Sequence, residues 1–166
     1  MFLNKTLGVP HKGWTLKDVI DLHIDECCSY GDYEDCEFCG QEQIRYVHII
    51  SHPEYSKIIR VGCICAEHLT NDYVKPREIE NKLRNRAARR QNWLKRKWKF
   101  SQKGSVYLKT KDGYHVGCFP VEEGKFKAWI GKRTGKLYHL TIDEAKLAIF
   151  DALEKIRKKG LSYKYQ

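Results

Sequence analysis

The sequence predicts an α+β protein built from three parts: a small N-terminal zinc-ribbon or treble-clef module, a long basic helix, and a C-terminal antiparallel sheet of three to four strands packed on one helix. Three observations carry this expectation. Cys36, Cys39, Cys63 and Cys65 fall in two close pairs. Residues 81–104 contain no acidic side chain and many Lys and Arg. From residue 104 onward, short runs rich in β-branched and aromatic residues alternate with glycine-bearing turns and end in a capped amphipathic segment. The boundaries that follow are 1–74, 75–103 and 104–166.

Each element has its own reason. Gly8, Pro10 and Gly13 make the start turn-rich, and Thr15–Leu22 reads as a short helix with Thr15 as its N-cap. Ile44–Ile50 reads as a strand, and Lys57–Val61 as its partner after a turn at His52-Pro53. One long helix is expected from Lys75 to Lys99. Pro76 suits its first turn, Glu78 and Glu80 suit the positive end of its dipole, and Ile79, Leu83, Ala87, Leu94 and Trp98 fall near one face. Val106–Thr110 and Tyr114–Val121 form a hairpin around Asp112-Gly113, Lys125–Ile130 follows, and Leu137–Leu140 is a short fourth strand. Thr141-Ile142-Asp143-Glu144 is a capping box that opens a helix through about Lys158, with Gly160 ending it.

The net charge of +10 is unevenly spread over the 166 residues. Residues 1–74 hold 6 Lys/Arg against 12 Asp/Glu, whereas residues 75–104 hold 12 against 2. Such a block sets up a local positive potential whatever surrounds it. No apolar stretch is long enough for a bilayer, and the N-terminus lacks the layout of a secretory signal, so a cytoplasmic protein with no membrane partner is expected. Seven cysteines, an odd number, suit metal binding or catalysis in a reducing compartment better than a disulfide framework.

Cys36-Glu37-Phe38-Cys39-Gly40 has zinc-knuckle spacing: two thiolates on a tight turn reach one ion, and Gly40 permits the turn. Val61-Gly62-Cys63-Ile64-Cys65-Ala66-Glu67-His68 follows, with the expected hairpin between the sets bringing them together. The expected cofactor is a structural Zn2+ ion on Cys36, Cys39, Cys63 and Cys65, with His68 as the alternative fourth ligand. The competing reading is a set of buried free cysteines. Cys118 reads as strand core, and Cys27-Cys28 as loop or core, with a contribution to a second metal as the alternative.

A CxxC pair, a strand histidine and a later Cys-x-x-His resemble zinc-stabilised HNH nucleases. That resemblance implies His48 as general base, with His68, Asn71 or Asp72 holding a divalent metal. The tandem His or Asp-His of that family is absent here, as is its midway Asn. The plainer expectation is His48 on a strand face and His52 capping the turn before Pro53. A non-catalytic role is therefore preferred, with the nuclease as runner-up.

Arg84, Arg86, Arg89, Arg90, Lys95, Arg96, Lys97 and Lys99 can place cations against a phosphate backbone. Trp93 and Trp98 read first as anchors to a neighbouring domain and second as stacking platforms for bases. The run Gly124–Ile130, then Gly131–Lys136, then Thr141–Ala148 resembles the three-strands-then-helix pattern of AP2-type and integrase-arm DNA-binding domains. That resemblance implies DNA contacts by Lys125, Lys127, Trp129, Lys132 and Arg133. With the preceding helix, the order also resembles a double-stranded-RNA-binding domain, although Asp143-Glu144 stands where that family has a basic cluster. Over most of its length the chain is similar to a group of bacterial proteins of uncharacterised function, through Gly8–Trp14, Ile44–His48, His52-Pro53, Gly62–Ala66 and Asn92–Trp98. The expected partner is DNA or RNA, with the protein acting as a non-catalytic accessory of a larger nucleic-acid-processing or phage-defence (CRISPR-type) effector complex. Homodimerisation through the long helix is a further expectation. A protein-binding adaptor without nucleic-acid contact is the other alternative.

Overall fold

A computed structural model describes residues 8–23 and 33–159. The chain is α+β, with three helices and two antiparallel sheets among the described residues. It divides into two compact units, Met1–Ala87 and Ala88–Gln166.

In the first unit, β1 (Thr15–Asp21), β2 (Tyr46–His52) and β3 (Tyr55–Val61) form a sheet in that order. The expected helix at Thr15–Leu22 is instead strand β1, paired antiparallel with β2 from Thr15↔Ser51 to Asp21↔Tyr46. Thr15, Val19 and Ile20 are β-branched, and Val19 and Asp21 point inward at a period of two. A bulge between Leu16 and Asp18 breaks the simple alternation that would have disclosed the strand. At the β2–β3 turn, His52 Nδ1 accepts the Glu54 N–H at 3.1 Å.

Helix α1 (Cys63–Thr70) packs on β1 and β2. The core between them contains Val9, Trp14, Cys36, Ile50, Ile59, Val61, Ala66 and Leu69. Trp14 locks the N-terminal turn to it: its indole donates to the Pro10 carbonyl at 2.7 Å and its backbone N–H to Leu69 at 3.2 Å. Buried Asp21 takes both ends of the Arg45 guanidinium at 2.7 and 2.9 Å.

Helix α2 spans Lys75–Leu94 and ends five residues before the expected Lys99. Trp98 folds back, its indole donating to the Trp93 carbonyl at 3.2 Å, so the chain leaves the helix and enters β4 (Lys99–Phe100).

In the second unit, β4, β5 (Val106–Lys109), β6 (His115–Pro120), β7 (Phe126–Ile130) and β8 (Arg133–His139) form a five-stranded antiparallel sheet in chain order. The expected fourth strand is longer than read, because Gly131 at φ +60° makes a tight turn that starts β8 at Arg133. Helix α3 (Ile142–Lys158) packs on β6, β7 and β8. Its cap forms as expected at Thr141, whose hydroxyl accepts the Glu144 N–H at 3.1 Å. The Glu144 carboxylate returns to the Leu140 N–H at 2.9 Å. Val106, Leu108, Val116, Cys118 and Ala128 face the layer containing Trp93, Ala145, Ile149, Phe150 and Leu153. Among the described residues, no helix is long and apolar enough to cross a membrane.

Candidate metal centre and a basic aromatic sheet face

The knuckle forms as its sequence requires. Cys36 N–H donates to Gln41 and Gly40 N–H to the Cys36 carbonyl, both at 2.8 Å, and Gly40 takes φ +77°. The Glu37 N–H reaches the Arg60 carbonyl at 3.0 Å, tying the knuckle to β3. Cys65 stands on the first turn of α1. The Sγ atoms of Cys36, Cys39 and Cys65 lie within 4.8 Å of one another and can bind a metal. Cys36 is buried, Cys39 exposed and Cys65 between the two, and all three are free thiols.

Cys36 is the natural thiolate of the set. The Cys65 thiol donates to it, and with the backbone N–H groups of Cys39, Gly62 and Phe38 this outweighs burial and lowers its pKa to about 5. Cys65 moves the opposite way, because it gives that hydrogen bond and sits close to Cys36 and Cys39. The Gly62 N–H to Cys36 Sγ distance is 3.5 Å.

Neither expected fourth ligand joins this group. Cys63 lies two residues before Cys65, on the other side of the helix start, and its sulfur groups with His48 and Glu80. Exposed His68 meets Tyr73, with Nδ1 3.2 Å from the phenol oxygen. Cys118 is buried in the second unit's core, and Cys27 and Cys28 lie outside the described residues.

The residues of the nuclease-like layout have structural work here. His48 is 0 % exposed, with Nε2 3.3 Å from the Pro76 carbonyl oxygen. Asn71 is the left-handed C-cap of α1 at φ 55°. Asp72 accepts the N–H groups of Val74 and Lys75 at 3.0 and 2.9 Å, which hold its pKa below the ordinary value.

Several cations of the long helix are engaged within their own units. Arg84 donates twice to Glu80, at 2.8 and 2.6 Å, and stacks on the Tyr46 ring. Arg89 pairs with Glu154 at 2.9 Å, and Arg90 with Asp151 at 3.8 Å. Arg96 lies over the Trp93 ring. Trp93 is 5 % exposed and donates to the Lys146 carbonyl at 2.7 Å, the anchoring role its sequence suggests first. Lys95, Lys97 and Lys99 are exposed.

A different surface emerges from the strand register. Lys99↔Tyr107↔Gly117↔Trp129↔Thr134 run across all five strands, and Phe119↔Lys127↔Tyr138 across three. With Lys109↔His115 they share the face opposite α3, since the intervening Val106, Val116, Cys118 and Ala128 are core. Apart from Gly117, none of these residues is buried. A Cβ on Gly117 would stand 2.8 Å from the Trp129 ring, so the indole packs directly against this strand. Lys127 Nζ sits 4.4 Å from the Tyr138 ring centroid. Lys132 and Arg133 are exposed at the adjoining β7–β8 turn, and Lys125 precedes β7. Sequence alone points to Lys127 and Trp129 at nucleic acid but passes over Tyr107, Lys109, Phe119 and Tyr138. Their outward alternation is visible in each strand, and only the pairing register shows that they align.

Comparison with known protein families, curated proteins and solved structures finds no match for this chain. Fold and site therefore define it by themselves: an α+β protein with a three-thiol cluster in one unit and a lysine–aromatic sheet face in the other.

Proposed function

We propose that this is a non-catalytic nucleic-acid-binding protein, an accessory of a larger nucleic-acid machine, that takes up unpaired DNA or RNA on the open face of its five-stranded sheet. One observation carries the reading: Tyr107, Phe119, Trp129 and Tyr138 share a register-defined face with Lys99, Lys109 and Lys127. Aromatic rings stack on bases of any sequence while lysines track the backbone, a pairing suited to single strands. Lys125, Lys132 and Arg133 extend the cationic rim. In the first unit, Cys36, Cys39 and Cys65 hold a structural zinc ion as a knuckle-and-helix module, thiolates being the donors zinc favours. The burial of His48 argues against its serving as a general base, since it shields the ring from a phosphodiester.

The test is fluorescence anisotropy with labelled single-stranded and duplex oligonucleotides. Trp129→Leu with Tyr138→Ala should weaken single-strand binding by roughly 10-fold or more, at about 1–3 kcal/mol per lost stack. Unchanged binding in that variant, with loss on replacing Arg86, Lys95 and Lys97, would move the interface to the helix. No binding by the wild type would leave the adaptor reading.

A further inference from the structure

We infer that the first unit carries a second metal site, formed by His48, Cys63 and Glu80, that holds a zinc-type divalent ion with one coordination position left to water or a small anion. One ring nitrogen of His48, Sγ of Cys63 and a carboxylate oxygen of Glu80 lie within 4.8 Å of one another. Three elements bring them there. His48 pairs with Val61 across β2 and β3, so the two share a face, and Cys63 follows two residues on at the start of α1. Glu80 comes from α2, whose Pro76 carbonyl meets the same imidazole.

The donors are poised for an ion. His48 is fully buried, yet Nδ1 has no hydrogen-bond partner. With Nε2 donating to the Pro76 carbonyl, Nδ1 is left as a bare lone pair, and metal-binding histidines are commonly oriented by a carbonyl in this way. Glu80 divides its labour: Oε1 takes Arg84 at 2.8 and 2.6 Å, which leaves Oε2 to the ion; that oxygen stands 3.8 Å from His48 Nε2 and turns toward Nδ1 when the ion binds. Tetrahedral zinc, with bonds of about 2.0–2.3 Å, sets its donors about 3.3–3.8 Å apart, so closure brings these donors together by up to about 1.5 Å. The nearby Glu67 carboxylate, 3.8 Å from Cys63 Sγ, is already clamped by Arg77 at 2.8 and 2.9 Å. It is therefore not the fourth donor, and among the described residues no other donor joins the group, which leaves that position open. A sulfur, nitrogen and oxygen set suits a borderline ion, whereas Mg2+ and Ca2+ prefer oxygen alone. Half-buried Cys63 gives solvent a way in.

The experiment is metal counting by elemental analysis on reduced full-length protein, loaded with Zn2+ and desalted, with circular dichroism confirming the fold of each variant. The wild type should hold two ions per chain, one for each side-chain group, and Cys63→Ser, Glu80→Gln and Cys39→Ser should each hold one. Co2+ loading gives a second readout, because Cys63→Ser should remove the weaker thiolate charge-transfer band and leave that of the three-sulfur group. A single ion lost in Cys39→Ser but kept in Cys63→Ser and Glu80→Gln overturns the inference, as does an ion-free wild type. A single ion lost in Cys63→Ser and Glu80→Gln but kept in Cys39→Ser upholds it and instead removes zinc from the three-thiol cluster.

Discussion

Neutralising Lys99, Lys109 and Lys127 together, each to Gln, isolates the electrostatic share of binding at the sheet face. All three lie on the side opposite α3 and none is buried, so the substitutions leave the core intact. They also take the Lys127 ammonium away from the Tyr138 ring, an attraction worth about 0.5–1 kcal/mol at such a site. Each phosphate neutralised on a single strand contributes about 0.7 to the slope of log affinity against log salt. Three lysines therefore make the slope shallower by about 2. Across a fourfold rise in salt, the wild type should lose about 16-fold more affinity than the variant. Anisotropy titrations at four or five salt concentrations measure both slopes on one oligonucleotide. Parallel lines, with the two proteins separated by a constant factor or not at all, would refute placement of these lysines at phosphates.

Further outcomes follow from particular contacts. Gly117→Ala should cost about 1–3 kcal/mol in urea unfolding, because its Cβ would press on the Val106 carbonyl at 2.5 Å and the Trp129 ring at 2.8 Å. The same change should weaken oligonucleotide binding by lifting that indole; wild-type stability would refute the close approach. Trp93→Phe removes the indole hydrogen bond to the Lys146 carbonyl, and chemical denaturation should show a loss of about 0.5–1.5 kcal/mol. Asp21 titrates below its ordinary 3.8: burial opposes this, but Arg45 and the His23 N–H together prevail. Its contribution to stability is thus complete above the unfolded value and lost as pH falls through the folded one, so Asp21→Asn should flatten the acid limb of a stability–pH profile. With the proposed zinc on Cys36, Cys39 and Cys65, a chelator under reducing conditions should lower the melting temperature of the first unit, since Cys36 lies in its core. Hydrogen exchange should register the change there and not in β5–β8.

Legibility in the sequence tracks how local each cause is. The Thr141 cap, the Gly40 knuckle and the His52 turn each depend on residues within a few positions, and each is readable from the chain alone. Strand β1 reads as a helix because its pairing partner lies some thirty residues away and its bulge blurs the period. Cys63 and Cys65 are both expected as ligands of one ion, yet only Cys65 joins Cys36 and Cys39. One residue between them on a helix start turns their side chains about 200° apart, since each residue advances about 100°. The arginine run promises a free cationic surface, but its acidic partners Asp151 and Glu154 lie about sixty residues onward. Pairings of that range exist only in the fold.

The five-stranded sheet has two margins, and both are poor templates for another chain. On one side β4 is only two residues long, contains Lys99 and is flanked by Lys97 and Lys103. On the other, β8 carries Arg133 and Lys136, and its pairing with β7 slips between Lys127 and Trp129. Short, cationic or irregular margins discourage edge-to-edge polymerisation. Under the proposed function, copies bound side by side on one polyanion would therefore not be joined through the edges of this sheet.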